Sequence, residues 1–214
     1  MKIKLPALSL VIVSIFLFQS CSSYLTSSEN VSKTKNTYDT ILVIGRSKDK
    51  TARIKFENNV VAQLLENGIN ASASHSVGKL IDLNKKYADS ELPGLKQKLM
   101  SNGYDGVLVT NLIDTAQYTD VIPGGTSTAY VPTRVGRFGR YISYYPVTTW
   151  EPSQLKQGTV YIFESSLYRL AEQKGDNLQW VGRFEIKDPT NLKSVVSNYA
   201  KDLTKALVKN SIAN

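Results

Sequence analysis

The sequence predicts an α/β domain of three layers, built on a mixed sheet of about five strands. Three observations carry this reading. Short continuous apolar runs, Ile41 to Ile44 and Val107 to Val109, have the pattern of strands buried on both faces. Segments of helical period lie between and after them, over residues 50–67, 91–102 and 189–209. Over residues 178–186 the period falls to two, as in a half-buried strand. The predicted order is β-α-β-α-β, a long arm, then β-β-α.

Each element has its local reason. After the first strand, Phe56, Val60 and Leu64 recur every four residues, and Val61 and Leu65 widen the stripe into an amphipathic helix. Asp49 suits its N-cap, and Gly68 stops it. Residues 69–76 alternate small and polar side chains and read as a weaker strand. Leu92, Leu95 and Leu99 mark a second helix that ends at Gly103, and residues 104–113 supply the next strand. Strands that alternate with helices pair in parallel through right-handed crossovers. Residues 159–170 form a long strand, and 173–177 are turn chemistry. Leu178, Trp180, Phe184 and Ile186 then point to one face, with Gly182 in step. The last helix is expected to start with Asp188 as N-cap and Pro189 in its first turn. Its stripe is Leu192, Val195, Val196, Tyr199, Leu203, Ala206 and Leu207, with Lys193, Lys201, Lys205 and Lys209 off it.

The chain has 214 residues, 26 Lys and Arg against 18 Asp and Glu, one His and one Cys. A single Cys excludes an internal disulfide, and with a single His it excludes a Cys/His zinc cage. No cofactor is expected. Lys2 and Lys4 precede an apolar stretch over residues 5–18. Fourteen residues rise only ~21 Å at ~1.5 Å each, short of a ~30 Å hydrocarbon core. Residues 1–20 therefore read as a signal peptide.

Phe18-Gln19-Ser20-Cys21 resembles a bacterial lipobox in relaxed form, with Phe18 where Leu is usual. The resemblance implies cleavage between Ser20 and Cys21, and acyl chains on Cys21. Ser22 next to the anchor implies the outer membrane, facing the periplasm. Residues 21–37 read as a flexible tether and 38–214 as the α/β domain, with an arm inserted at 115–157. Export removes nucleic acid as an expected partner. The membrane through the lipid, an envelope protein or an anionic envelope component are the partners left.

The elements ILVIGRS, RIKFENNVVAQLLENGINASASHS and YDGVLVTNL resemble small bacterial envelope lipoproteins. In these a strand is followed by an Arg/Phe-Glu helix, a Gly, and a strand that ends near Ser, here Arg53, Phe56, Glu57, Gly68 and Ser74. The implied fold is similar to the amino-terminal domain of the Tol-Pal translocation protein. It is also similar to lipoproteins that secrete curli or activate penicillin-binding proteins.

Catalytic motifs are sparse. Residues 45–51 sit where a phosphate loop would, but lack its second Gly and carry Asp49 before Lys50-Thr51. His75 has Ser74 and Ser76 beside it, with no nucleophile elbow. The arm is the unusual stretch. No acidic residue lies between Asp120 and Glu151, while Arg134, Arg137, Arg140, Tyr141, Tyr144 and Tyr145 do, among other aromatics. It reads as an extended hairpin, either a binding arm or a solvated insertion. The expected function is a non-enzymatic, lipid-anchored binding or assembly module. The alternative is a hydrolase of cell-wall or surface polymer, which needs two carboxylates ~5–9.5 Å apart, from candidates such as Asp105, Asp114, Glu164 and Glu185.

Overall fold

A computed structural model describes residues 23–82, 85, 87–135, 141–170 and 177–212. In chain order the strands are β1 (Leu25–Asn30), β2 (Ile41–Arg46), β3 (Ala71–Ala73), β4 (Gly106–Ile122), β5 (Thr126–Val135), β6 (Tyr141–Trp150), β7 (Gln154–Arg169) and β8 (Leu178–Lys187). The helices are α1 (Lys50–Glu66), α2 (Leu92–Ser101) and α3 (Leu192–Asn210). Two compact units emerge: residues 1–113 with 162–214, and residues 114–161.

The first unit is built on a six-stranded mixed sheet in the order β1-β8-β7-β4-β2-β3. β2 runs parallel to both β3 and β4, with Ile41 opposite Ala71 on one side and Gly106 on the other. The chain therefore steps from β2 outward to β3, then back across β2 to β4. Right-handed crossovers in opposite directions send α1 and α2 to opposite faces. The β2 side chains divide accordingly. Ile41 and Val43 pack in one core with Val60 and Leu64 of α1. Leu42 and Ile44 pack in the other with Leu99 of α2. α3 joins α1 through Tyr199, Leu203 and Leu207. This completes the predicted three layers.

The capping signals hold for α1, whereas Leu65, expected on its stripe, is exposed. The Asp49 carboxylate accepts the Thr51 and Ala52 N–H groups at 2.8 and 3.1 Å, and Gly68 follows the helix at φ 75°. Three expectations need correction. α3 is capped by Asn191, which accepts from Lys193 and Ser194 at 2.9 and 3.3 Å. β8 continues to Lys187, so Asp188 is spent on the turn, at φ 44°, a conformation Asp tolerates better than most residues. β3 is only three residues long, because Ser74–Ser76 leave the ladder as a short 3₁₀ turn. Finally, the stretch read as a tether contains β1.

β1 pairs antiparallel with β8, from Leu25 opposite Phe184 to Asn30 opposite Trp180. Its flanks are held by α3 and β8. The Tyr24 N–H donates to Asp202 Oδ2 at 2.7 Å, the Asn30 amide donates to the Asn210 carbonyl at 2.5 Å, and the Asn36 amide donates to Gln179 Oε1 at 2.8 Å. Only Tyr24 and Leu25 contribute apolar surface to the core here. Backbone pairing and amide side chains, not a hydrophobic pattern, make this strand.

In the second unit β5 and β6 form the antiparallel hairpin expected in the arm, from Thr126 opposite Trp150 to Val135 opposite Tyr141. Among the described residues no helix is long and apolar enough to cross a membrane.

Candidate functional sites

The most concentrated polar cluster sits where β2 and β3 end. Glu57 projects from α1 and is 0% exposed. Its Oε1 accepts the Gly45 backbone N–H at 3.0 Å and the Ser74 hydroxyl at 2.6 Å. Its Oε2 accepts the His75 backbone N–H at 3.1 Å and faces His75 Nδ1 at 2.7 Å. A buried carboxylate is tolerable only when its oxygens are satisfied in this way. The cluster explains the short β3, since Ser74 and His75 turn out of the ladder toward Glu57.

This geometry differs from that of a catalytic triad, in which the His stands between nucleophile and acid. Here the acid stands between Ser74 and His75, and the Ser74 hydroxyl donates to the acid. The three residues clip α1 to the ends of two strands. The residues that carried the sequence resemblance do related work. A Cβ at Gly45 would lie 2.9 Å from Phe56 Cδ1, so glycine lets the Phe56 ring cover β2. Phe56 in turn meets Tyr199 of α3 edge-on, with ring centroids 5.4 Å apart.

A second buried network joins the sheet to α3. Thr110 Oγ1 and Ser165 Oγ lie 2.5 Å apart, and Ser165 Oγ lies 3.0 Å from Tyr199 Oη. Burial pushes the Tyr199 phenol well above its ordinary value, against the opposing pull of the Ser165 and Thr110 hydrogen bonds. The unfolded phenol ionises near pH ~10 while the buried one keeps its proton. The raised pKa therefore supports folding fully below pH ~10, and that support is lost as pH rises above it, by up to ~1.4 kcal/mol per unit. Tyr199→Phe should cost ~1 kcal/mol near neutrality, and its stability deficit should shrink between pH 10 and 12. Urea unfolding across that range checks this; a deficit that stays constant to pH 12 would count against a buried neutral phenol.

On the opposite face, α2 packs on the sheet together with Val77, Leu80 and Ile81, and a recess of about 660 Å³ remains beside it. Ile44, Leu95, Leu99, Val107 and Leu170 form apolar lining, and Arg46, Lys85 and Tyr87 are among the polar groups. Lys85 is ion-paired with Glu91, and their hydrogen bond raises the lysine pKa and lowers the carboxyl pKa. The recess has the size and apolar character of a small-ligand pocket.

The hairpin register shows a surface to which the arm residues singled out in the sequence belong only in part. Opposite residues share a face, as do residues two apart. Thr126, Thr128, Tyr130 and Pro132 therefore share a face with Tyr144, Pro146, Thr148 and Trp150. Tyr130, Tyr144 and Trp150 are 68%, 64% and 82% exposed. Tyr130 and Trp150 complete this face, and strand parity is the signal that would have selected them. Of the predicted arm residues, Tyr144 is thus on the face of Tyr130 and Trp150, while the other face is exposed too, at Val131 and Val147. Arg134, Tyr141 and Tyr145 are described by backbone alone, in β5 and β6. Arg137 and Arg140 lie outside the described residues, as do Ser20 and Cys21.

The other chemical candidates have structural partners. The Asp105 carboxylate accepts the Asp39 and Thr40 N–H groups at 2.8 and 3.0 Å. Asp114 accepts the Thr115 N–H at 2.8 Å, and Glu164 takes Arg183 Nε at 3.3 Å. Glu185 lies on β8. Among the described residues no three His, Cys, Asp or Glu gather as a metal site. After β2, the N–H groups that a phosphate loop would present include those of Thr51 and Ala52, which Asp49 already occupies.

No protein-family model matches the chain, and no curated protein matches it. Among solved structures it is similar to the PelC dodecamer from Paraburkholderia phytofirmans, at 10% identity and a TM-score of 0.44, over 88% of this chain and 97% of that one. It is also similar to the lipoprotein GNA1162 from Neisseria meningitidis, at 16% identity and a TM-score of 0.39, over 78% of this chain and 98% of that one. Likenesses at these scores do not bear on function.

Proposed function

We propose that this chain is a lipid-anchored protein of the bacterial envelope that works as a non-enzymatic binding or assembly module, with the β5–β6 hairpin as its docking surface. The observation that carries the docking reading is the exposed face of Tyr130, Tyr144 and Trp150, in a stretch without acidic residues from 121 to 150. Exposed aromatics supply contact area with few rotamers to freeze, and a basic surround attracts anionic partners. The partner is an envelope protein or an anionic envelope component. The lipobox-like Phe18-Gln19-Ser20-Cys21 supports the anchor, and Ser22 supports retention at the outer membrane, facing the periplasm.

One experiment has two arms. Labelled palmitate should enter the wild type and not Cys21→Ala; label in the variant would remove the anchor. Photo-crosslinkers at Tyr130 and Trp150, in intact cells, should capture a defined partner that a crosslinker at Ser101 on α2 does not. Replacing Arg134, Arg137 and Arg140 by Gln should weaken that capture most at low salt, where screening is least. Equal capture from Ser101 and Trp150 would leave the hairpin as an insertion without a docking role.

A further inference from the structure

We infer that the exposed face of α3 is the surface this domain lays against an anionic lipid headgroup layer. The inference rests on the lipid anchor proposed above and adds an orientation to it. Lys201, Lys205 and Lys209 are exposed and spaced four apart, so they form one row along the helix. Lys205 lies diametrically opposite the buried stripe of Val196, Tyr199, Ala200, Leu203 and Leu207. Lys35 adds a fourth cation at the carboxyl end of the helix, where its Nζ donates to the Val208 carbonyl at 3.1 Å.

The chain brings this row to the membrane. The Tyr24 N–H is hydrogen-bonded to Asp202, on the turn between Lys201 and Lys205. Cys21 is three residues before Tyr24. Three residues reach at most ~11 Å even when fully extended. An acylated Cys21 therefore holds the middle of α3 within about that distance of the bilayer. The order of β1 is what shortens the leash, since a free coil over residues 21–37 would impose no orientation. Asp202 is the acidic residue within α3, and it is engaged by the Tyr24 N–H. Basic residues next to an anionic leaflet are each attracted within a Debye length. Anchor and lysine row thus act together, as two signals for stable attachment.

The test uses the mature lipidated protein in nanodiscs. Cys21 is the chain's only cysteine and is blocked by acylation in the anchored form, so Asn198→Cys or Ser101→Cys takes a single fluorophore. Asn198 lies on the lysine side of α3, one turn before Lys201 and two before Lys205. Ser101 lies at the end of α2, on the other face of the sheet. With anionic lipid present, a headgroup-attached quencher should dim the probe at position 198 several-fold more than the probe at position 101. High salt, or Lys201→Gln with Lys205→Gln and Lys209→Gln, should narrow the difference to what the short anchor alone imposes, with the melting temperature of the Gln variant close to that of the wild type. Equal quenching of the two probes in palmitate-labelled, disc-bound protein would overturn the orientation and leave the anchor standing. Absence of palmitate from the wild type would overturn both.

Discussion

Glu57→Ala is expected to destabilise the fold by about 3–5 kcal/mol, the range for removing one partner from a buried charged set. The reason is the number of groups left behind. Gly45, Ser74 and His75 would lose an acceptor together, and a buried unsatisfied donor costs ~1–3 kcal/mol by itself. Truncation also opens a void between α1 and the strand ends. Domains of this size are stable by only ~5–15 kcal/mol, so the variant should show a clearly lower urea midpoint or fail to accumulate. Glu57→Gln preserves the volume and one acceptor oxygen, and should fall between wild type and Ala. A loss below ~1 kcal/mol for Glu57→Ala, with an unchanged m-value, would show that water replaces the carboxylate and that the clip is dispensable.

Leu203→Ala should cost about 2–5 kcal/mol. Leu203 is fully buried and belongs to the same core as Val60 and Leu64 of α1, Leu108 of β4 and Phe184 of β8. Its loss leaves a cavity where two helices meet the sheet, and close packing on three sides limits collapse. Lys205→Ala, two residues on and exposed, should change stability by less than ~0.5 kcal/mol. Equilibrium denaturation of the pair measures the difference. Equal effects at the two positions would place α3 outside the core and remove the third layer.

Much of this architecture was legible because it rests on periodicity. The run Ile41 to Ile44 is apolar at every position because β2 is covered on both faces, by α1 on one and α2 on the other. The α1 boundaries followed from Asp49 and Gly68, whose chemistry acts within a few residues. The α3 stripe was largely legible in the sequence, although Leu192 is exposed and Ala200 and Thr204 join the buried side, but the start of the helix was not. Asp188 and Asn191 are both competent caps, and only the length of β8 decides between them.

The candidate sites were less legible, for a related reason. Arg and Tyr content marked the arm, but which aromatics share a face depends on the pairing of β5 with β6. That pairing is a relation between segments, and no single segment displays it. Glu57 was visible as part of a motif, yet its work is to join residues twelve and eighteen positions away in the chain.

By itself, the sequence determined the three-layer α/β class, the parallel pairing among β2, β3 and β4, and the positions of all three helices to within a few residues. Each of these is encoded by local propensity, capping and period, which act over a few residues. Tertiary structure alone decided that residues 25–30 are a strand, that β3 ends at Ala73, and that Tyr130, Tyr144 and Trp150 form one surface. β1 shows why. Leu-Thr-Ser-Ser-Glu-Asn carries little apolar pattern of its own and becomes a strand because β8 offers it an open edge of N–H and C=O groups. An edge partner is recruited by backbone hydrogen bonds, which every residue but proline can make, so its side chains need not announce it.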